Sequence, residues 1–152
     1  GGWALLRTTG LLICFMTMAQ LIVGAIMRHS GAGLSIPYFP HSSPDGSLLP
    51  VSWNWATKLN FAHRGLALAL FVLLTFWVIA LIRSSLTSST IKKLALAVFI
   101  LINVQIALGA GIIWSARAPI QTTLHVLNGA IFLSTAWAIT FSFFKPALEK
   151  KD

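Results

Sequence analysis

The sequence predicts an all-α membrane protein, a four-helix transmembrane bundle, and three observations carry that reading. Hydrophobic residues make up 57% of the chain and charged residues only 9%, whereas a soluble domain carries about 25% charge to stay in solution. The mean hydropathy is +0.83. The apolar residues also fall in long runs and not at scattered core positions. With 152 residues, the chain has the length of a single domain.

A bilayer core of about 30 Å requires roughly twenty apolar residues in a helix. Residues 8–27, 61–82, 94–114 and 122–144 meet that requirement, and none of these spans contains a proline or an acidic residue. Only Arg64 puts a formal charge inside one. The first connection, residues 28–60, is long and holds Pro37, Pro40, Pro44 and Pro50. It also holds Trp53 and Trp55, whose amphipathic rings suit the headgroup level. The second connection, residues 83–93, is short and polar, and the third, 115–121, is a tight turn around Pro119.

The formal charge of +8 does not indicate nucleic-acid binding, because the cations flank the apolar runs and form no basic stripe. They read as topology signals and lipid-phosphate contacts, with the bilayer as the partner. Arg7, Arg83, Lys92, Lys93, Lys145, Lys150 and Lys151 lie at the end that holds both termini. Arg28, Lys58, Arg64 and Arg117 lie at the other, seven against four. The positive-inside rule then puts both termini in the cytoplasm or its mitochondrial equivalent, the matrix. The lone cysteine, Cys14, excludes an internal disulfide and a thiolate cluster. The Gly1-Gly2 start reads as a piece of a longer protein.

An internal two-fold helix-pair repeat is visible. QLIVGA (Gln20 to Ala25) closes the first span and QIALGA (Gln105 to Ala110) the third. Each is followed by a loop and a helix with a histidine near its start, namely His63 and His125. Because the two pairs run in the same direction, their symmetry axis lies along the membrane normal. Counted from the span starts, both imidazoles sit roughly 3 to 6 Å into their helices.

Two imidazoles at similar depth on helices pointing the same way can face each other across a bundle, a common way to hold heme or a metal. A histidine at a helix end can also simply meet interfacial water, but an intramembrane ionisable residue is a functional candidate by default. Zinc requires three or four protein ligands, and the remaining histidines, His29 and His41, lie in the long loop with no carboxylate in any span. Two ligands suffice for iron porphyrin, so His63 and His125 are the expected iron ligands. Arg64 and Arg28, at the same membrane face, are candidates to meet the propionates, although Arg64 can equally snorkel to the headgroups. Gly24, Gly109 and Gly129 fit plain helix packing better than contact with a porphyrin.

The stretches GAIMRHSGAGLSIPYFP (Gly24 to Pro40), FAHRG (Phe61 to Gly65), QIALGA and TLHVLNG (Thr123 to Gly129) resemble the heme A synthase family in kind and order. The resemblance implies an oxidoreductase of cytochrome oxidase assembly that converts the methyl group of heme O to the formyl group of heme A. It also implies an eight-helix protein made of two four-helix halves, in a bacterial plasma membrane or mitochondrial inner membrane. The partner half and heme O or heme A would then be this chain's partners, and a homo-oligomer is compatible with it. The catalytic half of the family carries a glutamate three residues before its first histidine, where this chain has Asn60, and often a cysteine pair absent from residues 33–37. This chain is therefore most similar to the second half, which holds a bis-His heme b. It is expected to contain no catalytic residue and to be inactive alone. The alternatives are a b-type electron-transfer bundle unrelated to heme synthesis and a structural half without heme.

Overall fold

The computed structural model describes residues 2–144. Lys145, Lys150 and Lys151 of the cation count lie outside the described residues. Among those described, the regular elements are α1 (Gly2–His29), α2 (Trp55–Arg83), α3 (Ser89–Trp114) and α4 (Pro119–Ser142), with one 3-10 turn at Ala32–Leu34. All four helices are long and apolar enough to cross a membrane, and the molecule is an all-α multi-pass membrane bundle. α1 packs on α2 and α4, and α3 packs on α2 and α4. The helices therefore close a ring in which α2 and α4 stand at opposite corners.

The helices overrun the apolar spans, and the reason is local. α2 begins six residues before Phe61, because the Asn54 side chain accepts a hydrogen bond from the Thr57 N–H at 2.9 Å and caps the helix. Likewise Ser88 caps α3 through the Ile91 N–H at 3.3 Å. Pro119 supplies the first residue of α4, a position where its missing N–H is harmless. Hydropathy marks the hydrocarbon core alone, whereas the backbone ladder continues through the interface. Within the spans, Thr17, Thr75 and Thr140 donate to the carbonyl four residues earlier, at 2.7, 2.8 and 2.8 Å. Their hydroxyls thus need no partner from lipid.

Dense packing is confined to the end that holds the N-terminus. Ile13, Leu70, Leu74, Trp77, Leu81, Val98, Phe132 and Ile139 belong to its core, and they draw on all four helices. Trp77 is fixed there by a hydrogen bond from its indole N–H to the Leu6 carbonyl, at 2.8 Å. α1 comes close at Gly10, where a Cβ would collide with Thr140 Oγ1 and stand 2.8 Å from Trp77 Cζ2.

At the opposite end the long connection folds back onto α2. The Asn60 side chain, 2% exposed, donates through Nδ2 to the carbonyls of Ala32 and Gly33, both at 3.1 Å. Arg64 donates to the Ile36 carbonyl at 2.9 Å and the His41 carbonyl at 3.2 Å. Ser35 reaches the Ala56 carbonyl at 2.9 Å. The loop contains a cis Phe39–Pro40 peptide. Its tip is a turn in which Asp45 accepts from the Ser43 hydroxyl and from the Ser47 N–H. The Ser43 hydrogen bond, then that of Ser47, holds the Asp45 carboxyl below its ordinary range.

Candidate functional site

At the loop end, polar side chains and glycines replace the core. His63 and His125 stand there on the opposite corners α2 and α4. Both helices begin before their apolar spans. His63 is the ninth residue of α2 and His125 the seventh of α4, or about 12 and 9 Å from the helix starts. The extra length is the interfacial turns that precede each apolar span, so the depth of roughly 3 to 6 Å counted from the span starts is unchanged.

Each imidazole is held by a glutamine from the preceding helix. Gln20 Nε2 lies 3.2 Å from His63 Nε2 and 3.0 Å from the His63 carbonyl. Gln105 Nε2 lies 3.2 Å from His125 Nε2. A glycine four residues after each glutamine faces the ring: a Cβ at Gly24 would stand 3.4 Å from His63 Cε1, and one at Gly109 would stand 3.3 Å from His125 Cε1. A Cβ would thus make ordinary contact with the ring at Gly24 and a slightly tight one at Gly109. The other ring nitrogen, Nδ1, is buried without a hydrogen-bond partner in both histidines. A buried orphan of this kind costs about 1–3 kcal/mol.

The α3–α4 side carries one additional residue. Asn128, 8% exposed, donates through Nδ2 to the Leu101 carbonyl at 3.0 Å and to Gln105 Oε1 at 2.6 Å. Gly129 beside it leaves room for Gln105, since a Cβ there would approach Gln105 Nε2 to 3.2 Å. On the α1–α2 side Gln20 Oε1 is buried and unpartnered.

The two arginines play different parts. Arg64 is occupied with the loop carbonyls, and its guanidinium lies 5.9 Å from the centre of the Phe39 ring. Arg28 is exposed in the last turn of α1. His41 is not at the site; it stacks on Tyr38 with ring centres 5.4 Å apart. Among the described residues, no three His, Cys, Asp or Glu side chains converge as a metal site would require. The two imidazoles stand without a third ligand of that kind.

A family model described as cytochrome oxidase assembly protein matches residues 2–137. The chain belongs to this cytochrome oxidase assembly family. The match runs through all four helices and includes both histidines and both glutamines. Membership implies a role in the assembly of cytochrome oxidase. No curated protein and no solved structure matches the chain.

Asn60 has a structural part that the sequence does not signal, where the position shows only the lack of a glutamate. The side chain is a clamp between α2 and the long loop. A carboxylate at this position would face two carbonyl oxygens. Asn60→Asp is therefore expected to destabilise the protein by about 2–3 kcal/mol, read as a lower unfolding temperature and faster proteolysis of the loop. An unchanged unfolding temperature would show that the clamp carries no load.

Proposed function

We propose that this chain is the cofactor-holding half of a heme A synthase, with His63 and His125 as the axial ligands of a heme b. The observation that carries the reading is the matched pair of buried imidazoles at one end of the bundle, each with a glutamine and a glycine at the same spacing. The same match supports the two-fold repeat of helix pairs.

The residues fit the group. A porphyrin brings four of the six iron ligands, so two neutral imidazoles complete the set. The loop end has polar side chains and glycines where the other end has a packed core. Buried nitrogens without partners also mark a place where the protein keeps polar atoms for something other than packing. Arg28 is the cation placed to meet a propionate at the loop face, and Arg64 supports that face by fixing the loop. When bound, such a heme supplies one-electron transfer. The side chains themselves orient the ligands, keep water from them and anchor the loop above them.

No residue of this half is suited to remove a proton during methyl oxidation. Asp45 is the only acid among the described residues, and it lies in the exposed loop tip. Both imidazoles are committed as ligands, and a bis-His iron offers no open position. Oxidation of heme O to heme A thus belongs to a partner half. The chain purified from membranes is expected to show a low-spin b-type spectrum and, supplied with heme O, to yield no heme A on extraction. Absence of the spectrum would remove the cofactor assignment, and heme A above background would make this half catalytic.

The cation excess supports termini on the cytoplasmic or matrix side. Val51, 81% exposed in the long loop, tests this. A Val51→Cys variant should react with an impermeant thiol reagent from outside, and reaction only in opened membranes would reverse the topology.

A further inference from the structure

The hydrogen bonds around the two histidines fix where each imidazole proton sits. A backbone carbonyl only accepts, so any side-chain nitrogen facing one is a donor. Gln20 Nε2 faces the His63 carbonyl at 3.0 Å, which fixes that atom as the amide nitrogen. The His63 Nε2 that it also faces, at 3.2 Å, must then accept. On the α3–α4 side Asn128 orients the glutamine. Asn128 Nδ2 is fixed as a donor by the Leu101 carbonyl. The Gln105 atom 2.6 Å from it is therefore the oxygen, and the nitrogen of Gln105 faces His125 Nε2 at 3.2 Å. His125 Nε2 also accepts.

A neutral imidazole carries one proton, so in both rings it lies on Nδ1. Nδ1 is buried without a hydrogen-bond partner in both rings, so the contacts at Nε2 alone set the tautomer. Gly24 and Gly109 face the same ring edge, since the ring atom nearest an added Cβ is Cε1 in both cases.

We propose that Gln20 and Gln105 are positioning residues that lock His63 and His125 in the Nδ1–H tautomer and so reserve the Nε2 lone pair for a metal centre. Asn128 serves as the anchor that orients Gln105. This rests on the cofactor reading for its purpose, but not for its test. A lone pair cannot serve an amide N–H and an iron together, so the glutamines hold the ligating nitrogens in their unprotonated form until the cofactor takes them. In a histidine that binds a metal through Nε2 the proton sits on the other ring nitrogen, and that is the tautomer these contacts select.

The test uses the full chain without cofactor in lipid nanodiscs, with isotope-labelled histidine. Nitrogen and Cδ2 chemical shifts distinguish the two tautomers. His63 and His125 should both be neutral and protonated on Nδ1. Gln20→Leu should move His63 alone towards a tautomer mixture, and Gln105→Leu should move His125 alone. Glutamate is isosteric with glutamine but its carboxylate only accepts, so Gln20→Glu and Gln105→Glu should each invert the tautomer to Nε2–H. These isosteric variants keep the test decisive if the leucine variants fail to fold. Titrated with hemin, each glutamate variant should bind about 10- to 100-fold more weakly than the parent chain. Histidines protonated on Nε2 in the parent chain, or shifts unmoved by all four substitutions, would overturn the proposal. The expected tautomers together with no hemin binding by any sample would instead overturn the cofactor reading and leave the positioning role standing.

Discussion

Replacing both His63 and His125 with alanine is expected to abolish the b-type heme spectrum of this chain, while the bundle remains folded. The two rings are not part of the apolar core, which lies at the other end and contains neither of them. Each ring now buries one nitrogen without a partner, so its removal relieves about as much desolvation as it loses in contact. The single variants separate the two ligands. His63→Ala or His125→Ala should leave a five-coordinate, high-spin iron that takes up an added small ligand such as imidazole, because one axial position has been opened. A low-spin spectrum surviving in the double variant would falsify the ligand assignment.

The second large effect is expected at Gly10. A methyl group there meets Thr140 Oγ1 and Trp77 Cζ2 well inside contact distance, and neither neighbour can retreat. The Trp77 ring is fully packed and held by its hydrogen bond to the Leu6 carbonyl, and Thr140 is 0% exposed. Gly10→Ala should therefore cost about 1–3 kcal/mol through overpacking, although alanine is the better helix former. Gly65 is the control, because a Cβ at that position meets nothing within 4 Å. Gly65→Ala should leave the unfolding temperature unchanged or raise it, by about 0.5–1 kcal/mol in stability. Thermal unfolding of both variants in the same detergent checks the pair. Equal behaviour would show that the close approach of α1 at Gly10 does not limit stability.

The fold was legible because the bilayer leaves few alternatives. Backbone groups in hydrocarbon must be satisfied internally, and a chain with four long apolar runs then has to be four helices. The ends were not legible, because capping by Asn54 and Ser88 is a local hydrogen-bond matter to which hydropathy is blind. The pairing of Gln20 with His63 and of Gln105 with His125 was half visible, as the recurrence of Gln-x-x-x-Gly. What the recurrence meant needed the helices side by side, since the partners are 43 and 20 residues apart. The role of Asn60 and the loop contacts of Arg64 had no sequence signal at all. Both depend on where carbonyls of the long connection come to rest, and an irregular loop has no period from which to read that.

The one-sided packing of the bundle bears on how such a protein is made. Local stability follows buried apolar contact, and here that contact is concentrated between the N-terminal end of α1, the C-terminal half of α2, the first half of α3 and the C-terminal half of α4. The contacts that gather the four helices therefore lie in one leaflet and involve neither histidine. Assembly of the bundle and loading of the proposed cofactor site are then separable steps, the first complete without the second.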